Sequence, residues 1–154
     1  MLSLLTALLL MPHSAEPETS RATIFSTIGH SEWCPAGNVR LELGTGEYVL
    51  APRASRRVCA NPDLVRPTAT GRLGEERLAA VRQAYRRVQA EGLNDCRDGR
   101  RPQRIIVMNS GTPILVLTSG ARTTAAPDEH SCWTEAALAL QSSIDDIFRS
   151  RHQR

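Results

Sequence analysis

Two segments of this chain switch from the two-residue hydrophobic period of a β-strand to the longer period of an α-helix. This repeated switch restricts the fold more than any other feature of the sequence. In the first segment, Val39, Leu41 and Leu43 alternate with charged residues. A Gly-Thr-Gly turn follows, and Tyr48 and Leu50 continue one face of a return strand. The pattern predicts a half-buried β-hairpin.

The second segment predicts a hairpin of a different kind. Residues 105–108 and 114–117 are nearly unbroken apolar runs, which are typical of strands buried on both faces. We therefore expect this hairpin at the centre of a sheet and the first hairpin nearer to its edges. The stretch before the first hairpin, residues 23–33, is compatible with either a further strand or a single helical turn.

An amphipathic helix is predicted after each hairpin. One is expected over residues 75–91, where Gly92 suits the end of the helix, and the other over residues 133–148. In both helices the apolar side chains recur at spacings of three and four residues. The two apolar faces consist of Leu78, Val81, Tyr85 and Val88 in the first helix and Ala137, Leu140, Ile144 and Ile147 in the second.

Two helices over one four-stranded antiparallel sheet of two hairpins bury both helix faces most simply. The predicted fold is therefore a two-layer α+β domain in ββαββα order. This order is either an internal pseudo-repeat or a chance recurrence of a common motif. Between the first hairpin and its helix, residues 51–72 form a proline-rich connector. Connectors of this length without secondary structure are often functional.

The first fifteen residues carry no charged side chain, and residues 2–11 are almost entirely apolar. Such a run is too short to cross a bilayer, which takes about 20 residues, but it suits the core of a secretory signal. No basic residue precedes the run and His13 suits the cut poorly, so an N-terminal helix of the fold is the alternative. We predict a signal peptide over residues 1–15. Residues 16–154 are then one secreted or periplasmic domain without a membrane span.

Four cysteines in an exported chain predict two disulfides, and four cysteines allow three pairings. On the predicted topology Cys34 and Cys59 lie at one end of the sheet, whereas Cys96 and Cys132 lie at the other. This placement favours Cys34–Cys59 and Cys96–Cys132 bridges. Each bridge closes a loop of tens of residues, which stabilises the fold by about 3–4 kcal/mol on the chain-entropy model.

All 19 basic residues are arginines, whose guanidinium groups bind carboxylates and phosphates in a bidentate fork. Codon bias explains the missing lysines better than function does. Two R-x-x-R-R clusters flank cysteines in polar connectors, and we expect them at opposite ends of the sheet. Solvated loop charge is the alternative to a binding site. The candidate ligand-binding residues are Arg53, Arg56 and Arg57 in the first cluster and Arg97, Arg100 and Arg101 in the second.

A His-Ser pair stands beside a cysteine and a tryptophan in each half, in "HSEWC" from residue 30 and in "EHSCW" from residue 129. If the two halves met, the resulting zinc ligands would be His30, Cys34, His130 and Cys132. Their spacing fits no familiar zinc module and export favours disulfides, so we predict no metal and no cofactor. We expect each tryptophan to pack against a disulfide instead.

Taken together, these patterns indicate a non-enzymatic binding domain. The expected partner is an acidic protein or an anionic envelope component. A net charge of only +3, without aromatic residues among the arginines, disfavours nucleic acid. Two alternatives stay open. One is a protease inhibitor that presents the 51–72 loop, and the other is a small hydrolase that uses a His-Ser pair, although no G-x-S-x-G motif is present.

Expression with the native N-terminus in a host that has a periplasm tests export and pairing together. We expect an intact mass that begins at Glu16, because the signal is removed, and a peptide map with both predicted bridges. Four free thiols on an uncut chain would contradict export. A Cys34–Cys132 bridge would contradict the pairing.

Overall fold

The computed structural model describes residues 18–28, 37–52, 57, 59–60, 65, 67–95, 114–127 and 132–149. Within these residues the chain forms an α+β fold with one six-stranded antiparallel sheet and two α-helices. A short 3-10 helix, Glu18–Arg21, precedes the first strand. The strands are β1 (Ala22–Ile28), β2 (Gly37–Glu42), β3 (Glu47–Ala51), β4 (Ala69–Arg72), β5 (Leu115–Ser119) and β6 (Arg122–Ala125). The helices are α1 (Glu75–Glu91) and α2 (Glu135–Arg149).

The strand order β4-β3-β2-β1-β5-β6 places β1 and β2 at the centre of the sheet. Residues 23–28, the described part of the stretch that is compatible with a strand or a helical turn, therefore belong to a central strand. The expectation that the first hairpin lies near an edge and the second at the centre is wrong, since β5 is next to an edge strand. Helices cover one face of the sheet, so even a central strand such as β2 alternates buried and exposed residues.

The second hairpin differs from its prediction. Strand β5 pairs with β6 across a two-residue turn in which Gly120 has φ 57°, and its other neighbour is β1. Both sides of β5 are thus occupied, and residues 105–108, its predicted partner, lie outside the described residues. Strand β6 lies in the polar segment 118–131, for which the sequence predicts a loop. The strand was missed because all four of its side chains are exposed. Apolar patterning cannot detect such a strand.

Strand β4 lies within the 51–72 connector, which was expected to have no secondary structure. It pairs with β3, and the Tyr48 ring covers Gly71 so closely that a Cβ at Gly71 would lie 2.6 Å from the Tyr48 hydroxyl oxygen. The predicted four-stranded sheet and ββαββα order are therefore wrong. Among the described residues, the first half contributes four strands and the second half two.

The helices agree more closely with their predictions. Helix α1 has the predicted bounds, buries the four predicted apolar residues and ends before Gly92, whose N–H donates to the Val88 carbonyl at 2.7 Å. Helix α2 begins two residues later than predicted because Trp133 forms an antiparallel bridge with Asn94. Thr134 caps α2: its Oγ1 accepts the Ala137 N–H at 3.1 Å.

Both helices lie across the strands on one face of the sheet. The start of α1 lies against the β2–β3 turn, where Leu78 meets Gly46, and its end shares a cleft with Leu117 on β5. Helix α2 runs back in the opposite direction. Its N-terminal Thr134 donates to the Gly92 carbonyl at 2.8 Å, and Phe148 near its end packs edge-on against Tyr48 of β3, with ring centroids 4.8 Å apart.

One half-buried arginine fastens α1 to the sheet. Arg82 donates from Nε to the Leu43 carbonyl and from Nη2 to the Gly44 carbonyl, both at 2.8 Å, and its side chain is 28% exposed. These two carbonyls belong to the β2–β3 turn, so the guanidinium joins a helix and a turn that are 39 residues apart in sequence. Hydrogen bonds from a charged donor are stronger than neutral ones.

Replacing Arg82 by alanine should therefore lower the free energy of unfolding by about 2 kcal/mol, mainly because two charge-assisted hydrogen bonds to the turn are lost. The exposed ion pair of Arg82 with Glu75 is lost as well and contributes little. Urea denaturation followed by circular dichroism measures the change. The matched control is Arg86→Ala on the exposed side of the same helix, which should shift stability by less than about 0.5 kcal/mol. Equal losses in the two variants would show that the fork contributes nothing specific.

Candidate binding surfaces

Of the six candidate arginines, the structure describes Arg57, which is exposed. Arg53, Arg56, Arg97, Arg100 and Arg101 lie outside the described residues. The segment that carries Arg57 leaves β3 after Ala51 and returns as β4, and these two strands pair directly. Cys59 and Val65 within it are 7% exposed each and form a small cluster separate from the main core. Arg57 therefore lies on a loop that is held at both ends and anchored by buried residues.

The second arginine cluster follows Asp95. The Asp95 N–H donates to the Cys132 carbonyl at 2.9 Å, beside the Asn94–Trp133 bridge that joins the ends of the two helices. Leu93, just before this point, lies with β5 and β6, whereas the first cluster leaves from β3 and β4. Strands β3 and β6 are four spacings apart, or about 19 Å. The points of attachment are thus well separated, on opposite sides of the sheet.

The two described cysteines, Cys59 and Cys132, are buried, and neither is a free thiol. Cys34 and Cys96 lie outside the described residues, so the Cys34–Cys59 and Cys96–Cys132 pairing stays a prediction. Trp133, next to Cys132, packs into the main core, and its indole N–H donates to the Pro127 carbonyl at 2.8 Å.

The His-Ser residues of the zinc and hydrolase alternatives, His30, Ser31, His130 and Ser131, also lie outside the described residues. Among the residues that are described, no group of three or more His, Cys, Asp and Glu side chains could hold a metal ion. In the same residues no helix is both long enough and apolar enough to cross a membrane.

The structure shows a surface that the sequence did not single out, the face of the sheet opposite the two helices, which no described element covers. One residue from every strand forms a row across this face, and neighbours in the row are partners in the strand pairing. A second, more polar row runs beside it and includes a hydrogen bond between the Thr118 and Thr123 hydroxyls at 3.3 Å. In sheet order the first row is Thr70, Val49, Arg40, Phe25, Val116 and Ala125.

We call this uncovered side the open face and define it by the first row together with Arg72, Glu47, Glu42, Thr23, Thr118 and Thr123. Its β2–β4 part encloses a shallow depression of about 600 Å³. Val49, which lines the depression, is 47% exposed. The sequence alternation already identifies the outward-facing positions of β2 and β3. Only the strand order shows that these positions form one surface with those of the other strands.

The two arginines of the open face differ in whether their side chains are hydrogen-bonded. The Arg72 Nε donates to the Thr45 carbonyl at 2.6 Å, which holds that guanidinium at the β2–β3 turn. The Arg40 guanidinium, in contrast, is exposed and makes no hydrogen bond or ion pair with any described residue. An unpaired guanidinium between Val49 and Phe25 can bind a carboxylate from outside the sheet.

A smaller cleft of about 190 Å³ opens between the end of α1 and strands β5 and β6. Arg122 and Thr124 of β6 line it on the side of the sheet. On its helical side, the Gln89 Nε2 donates to the Tyr85 hydroxyl at 2.7 Å. The cleft combines apolar and polar lining without a cluster of catalytic groups among the described residues.

Comparisons with known proteins add no functional assignment: the sequence matches no family model and no curated protein, and the fold matches no solved structure.

Proposed function

We propose that this protein is a secreted or periplasmic, non-enzymatic binding domain that takes anionic ligands through its arginine-rich loops. The partner is an acidic protein or an anionic component of the cell envelope. The observation that supports this most is the loop after β3. It carries exposed Arg57 two residues before buried Cys59, and its ends are fixed by paired strands. A loop anchored in this way loses less conformational freedom on binding than a free one.

The predicted disulfides fit this geometry, and we propose them as the anchors of both arginine clusters. The segment around Cys34 joins Ile28 to Gly37, and these two residues are register partners at one end of the sheet. The loop that holds Cys59 begins at that same end, since Ala51 pairs with Asn38. Cys96 directly follows Asp95, whose N–H binds the Cys132 carbonyl. Each proposed pair thus joins segments that leave the fold close together.

Removal of the proposed signal would not touch the described part of the chain. The first described element starts at Glu18, so removal of residues 1–15 would leave every described residue in the mature chain. The net charge of +3 would be unchanged, because those fifteen residues carry no charged side chain. The mature domain would keep its basic character and both proposed disulfides.

A second candidate function, protease inhibition, is supported by the same loop. Inhibitors of this kind present an arginine on an exposed segment that is held by its ends, which is the setting of Arg57. The two candidates differ in their target, since an inhibitor requires one protease cleft, whereas an anion-binding loop retains any matched polyanion. Titration of a trypsin-like protease with the wild-type protein separates them. Inhibition that disappears with the loop variant below would favour the inhibitor.

Retention on a heparin column tests the anion-binding proposal. We expect the wild-type protein to bind at low salt and to elute as salt rises, because exposed charge pairs are screened. A variant with Arg53, Arg56 and Arg57 all changed to alanine should bind about tenfold more weakly, since three charge contacts are lost.

The matched control for that experiment removes the same charge elsewhere. Arg77, Arg86 and Arg87 are exposed on α1, and changing all three to alanine also removes three positive charges. This helix variant should bind heparin like the wild type. Equal weakening in both variants would show that only net charge matters. Absent or salt-independent retention of the wild type would exclude the anion-binding loop altogether.

A further inference from the structure

We propose that the open face of the sheet docks a second copy of this chain, face to face, in a weak dimer. This inference does not depend on the arginine loops, because the open face is formed by strands and the loops extend from the ends of the sheet. It concerns a surface whose residues are all described.

The middle of the open face has the composition of an interface. Val49, Phe25 and Val116 lie in the first row with Arg40 among them, so apolar side chains surround one unpaired guanidinium. Interface centres are enriched in aromatic residues and arginine, and their margins are polar. The second row, rich in threonine and glutamate, supplies such a margin. Val49 is 47% exposed, so part of its side chain can still be removed from water.

The charges identify a second copy as the occupant. The open face carries two arginines, Arg40 and Arg72, and two glutamates, Glu42 and Glu47, so its net charge is zero. Two copies related by a two-fold axis present the same patch to each other, and such an interface must be self-complementary. Arg40 of one copy can then meet a glutamate of the other. An acidic partner, in contrast, would gain no net attraction, since Glu42 and Glu47 offset Arg40 and Arg72.

The edges of the sheet are less suited to association than its face. The edge strands β4 and β6 have four residues each, and each carries an exposed arginine at one end. Short, charged edge strands discourage pairing between sheets. Face-to-face packing of two antiparallel sheets at about 10 Å is the common alternative.

The area of the open face indicates that the dimer is weak. Six strands at the usual spacing are about 24 Å across, and the paired part of the strands is about 15 Å long. The flat area is then on the order of 360 Å² per copy, or roughly 700 Å² for the pair, below the range of stable complexes. We therefore expect association that depends on concentration, not a permanent dimer.

Sedimentation equilibrium of the oxidised full-length protein, measured up to about 1 mM, tests the proposal. The wild type should show a reversible monomer–dimer equilibrium. Arg40→Glu should raise the dissociation constant at least about tenfold, because like charges then face each other. Val49→Thr, which keeps a β-branched side chain, should raise it about fivefold through lost apolar contact. Circular dichroism should show unchanged folds.

Mixing two charge-reversed variants tests whether Arg40 of one copy faces a glutamate of the other. A variant with Glu42→Arg and Glu47→Arg should not dimerise with itself, but it should form heterodimers when mixed with Arg40→Glu, since the reversed charges are again complementary. Arg86→Glu, an identical charge change on exposed α1, should dimerise like the wild type.

Three results would each overturn the proposal: a wild-type protein that stays monomeric at about 1 mM, equal weakening by Arg86→Glu and Arg40→Glu, or no heterodimer in the mixture. The heparin-binding loop variant should still dimerise, so failure of this inference and failure of the proposed function are distinguishable.

Discussion

The fold depends on two helices that lie across one face of the sheet, not along its strands. Helix α1 passes from the β2–β3 turn to the β5–β6 hairpin, and α2 returns from that side to Tyr48 of β3. A helix of seventeen residues is about 25 Å long, which is close to the width of six strands. One crossing pair can therefore cover one face of the sheet. The opposite face is then left for solvent or for a partner.

The ends of the helices are fixed by polar contacts whose groups would otherwise be unsatisfied. Thr134 caps α2 and also donates to the Gly92 carbonyl just beyond α1, so a single hydroxyl joins the two helix ends. Arg82 supplies the corresponding link at the other side, from α1 to the carbonyls of the β2–β3 turn. The apolar core determines that the helices cover the sheet, and these directional bonds determine where along it they lie.

The same arrangement separates two surfaces that could serve binding. The arginine loops leave the fold at distant points, one beside β3 and β4 and the other beside the joined helix ends. The open face is formed by the paired strands, and its positive and negative charges are equal in number. An anchored basic loop and a flat neutral sheet suit different partners. A binding domain with both could hold an anionic ligand and a second copy of itself at the same time.

The sequence by itself determined the elements whose side chains alternate between water and core. The first hairpin and α1 were predicted with nearly correct bounds because their apolar positions follow one clear period. Strand β6 and strand β4 were not predicted, since their side chains are exposed or only partly buried and their pairing comes from backbone hydrogen bonds. Backbone groups are the same in every residue, so no local pattern shows which strand lies beside which.

The candidate sites divide in the same way. An arginine cluster beside a cysteine could be identified from the sequence, because the arginines and the cysteine are neighbours in one connector. The structure shows that Arg57 of this cluster is exposed. The row through Val49, Arg40 and Phe25 could not be identified in this way, because its members come from separate strands. Chemical character and local period are properties of the sequence. Strand order and the uncovered face were decided by the tertiary structure, because they depend on how two helices of limited length distribute themselves over six strands.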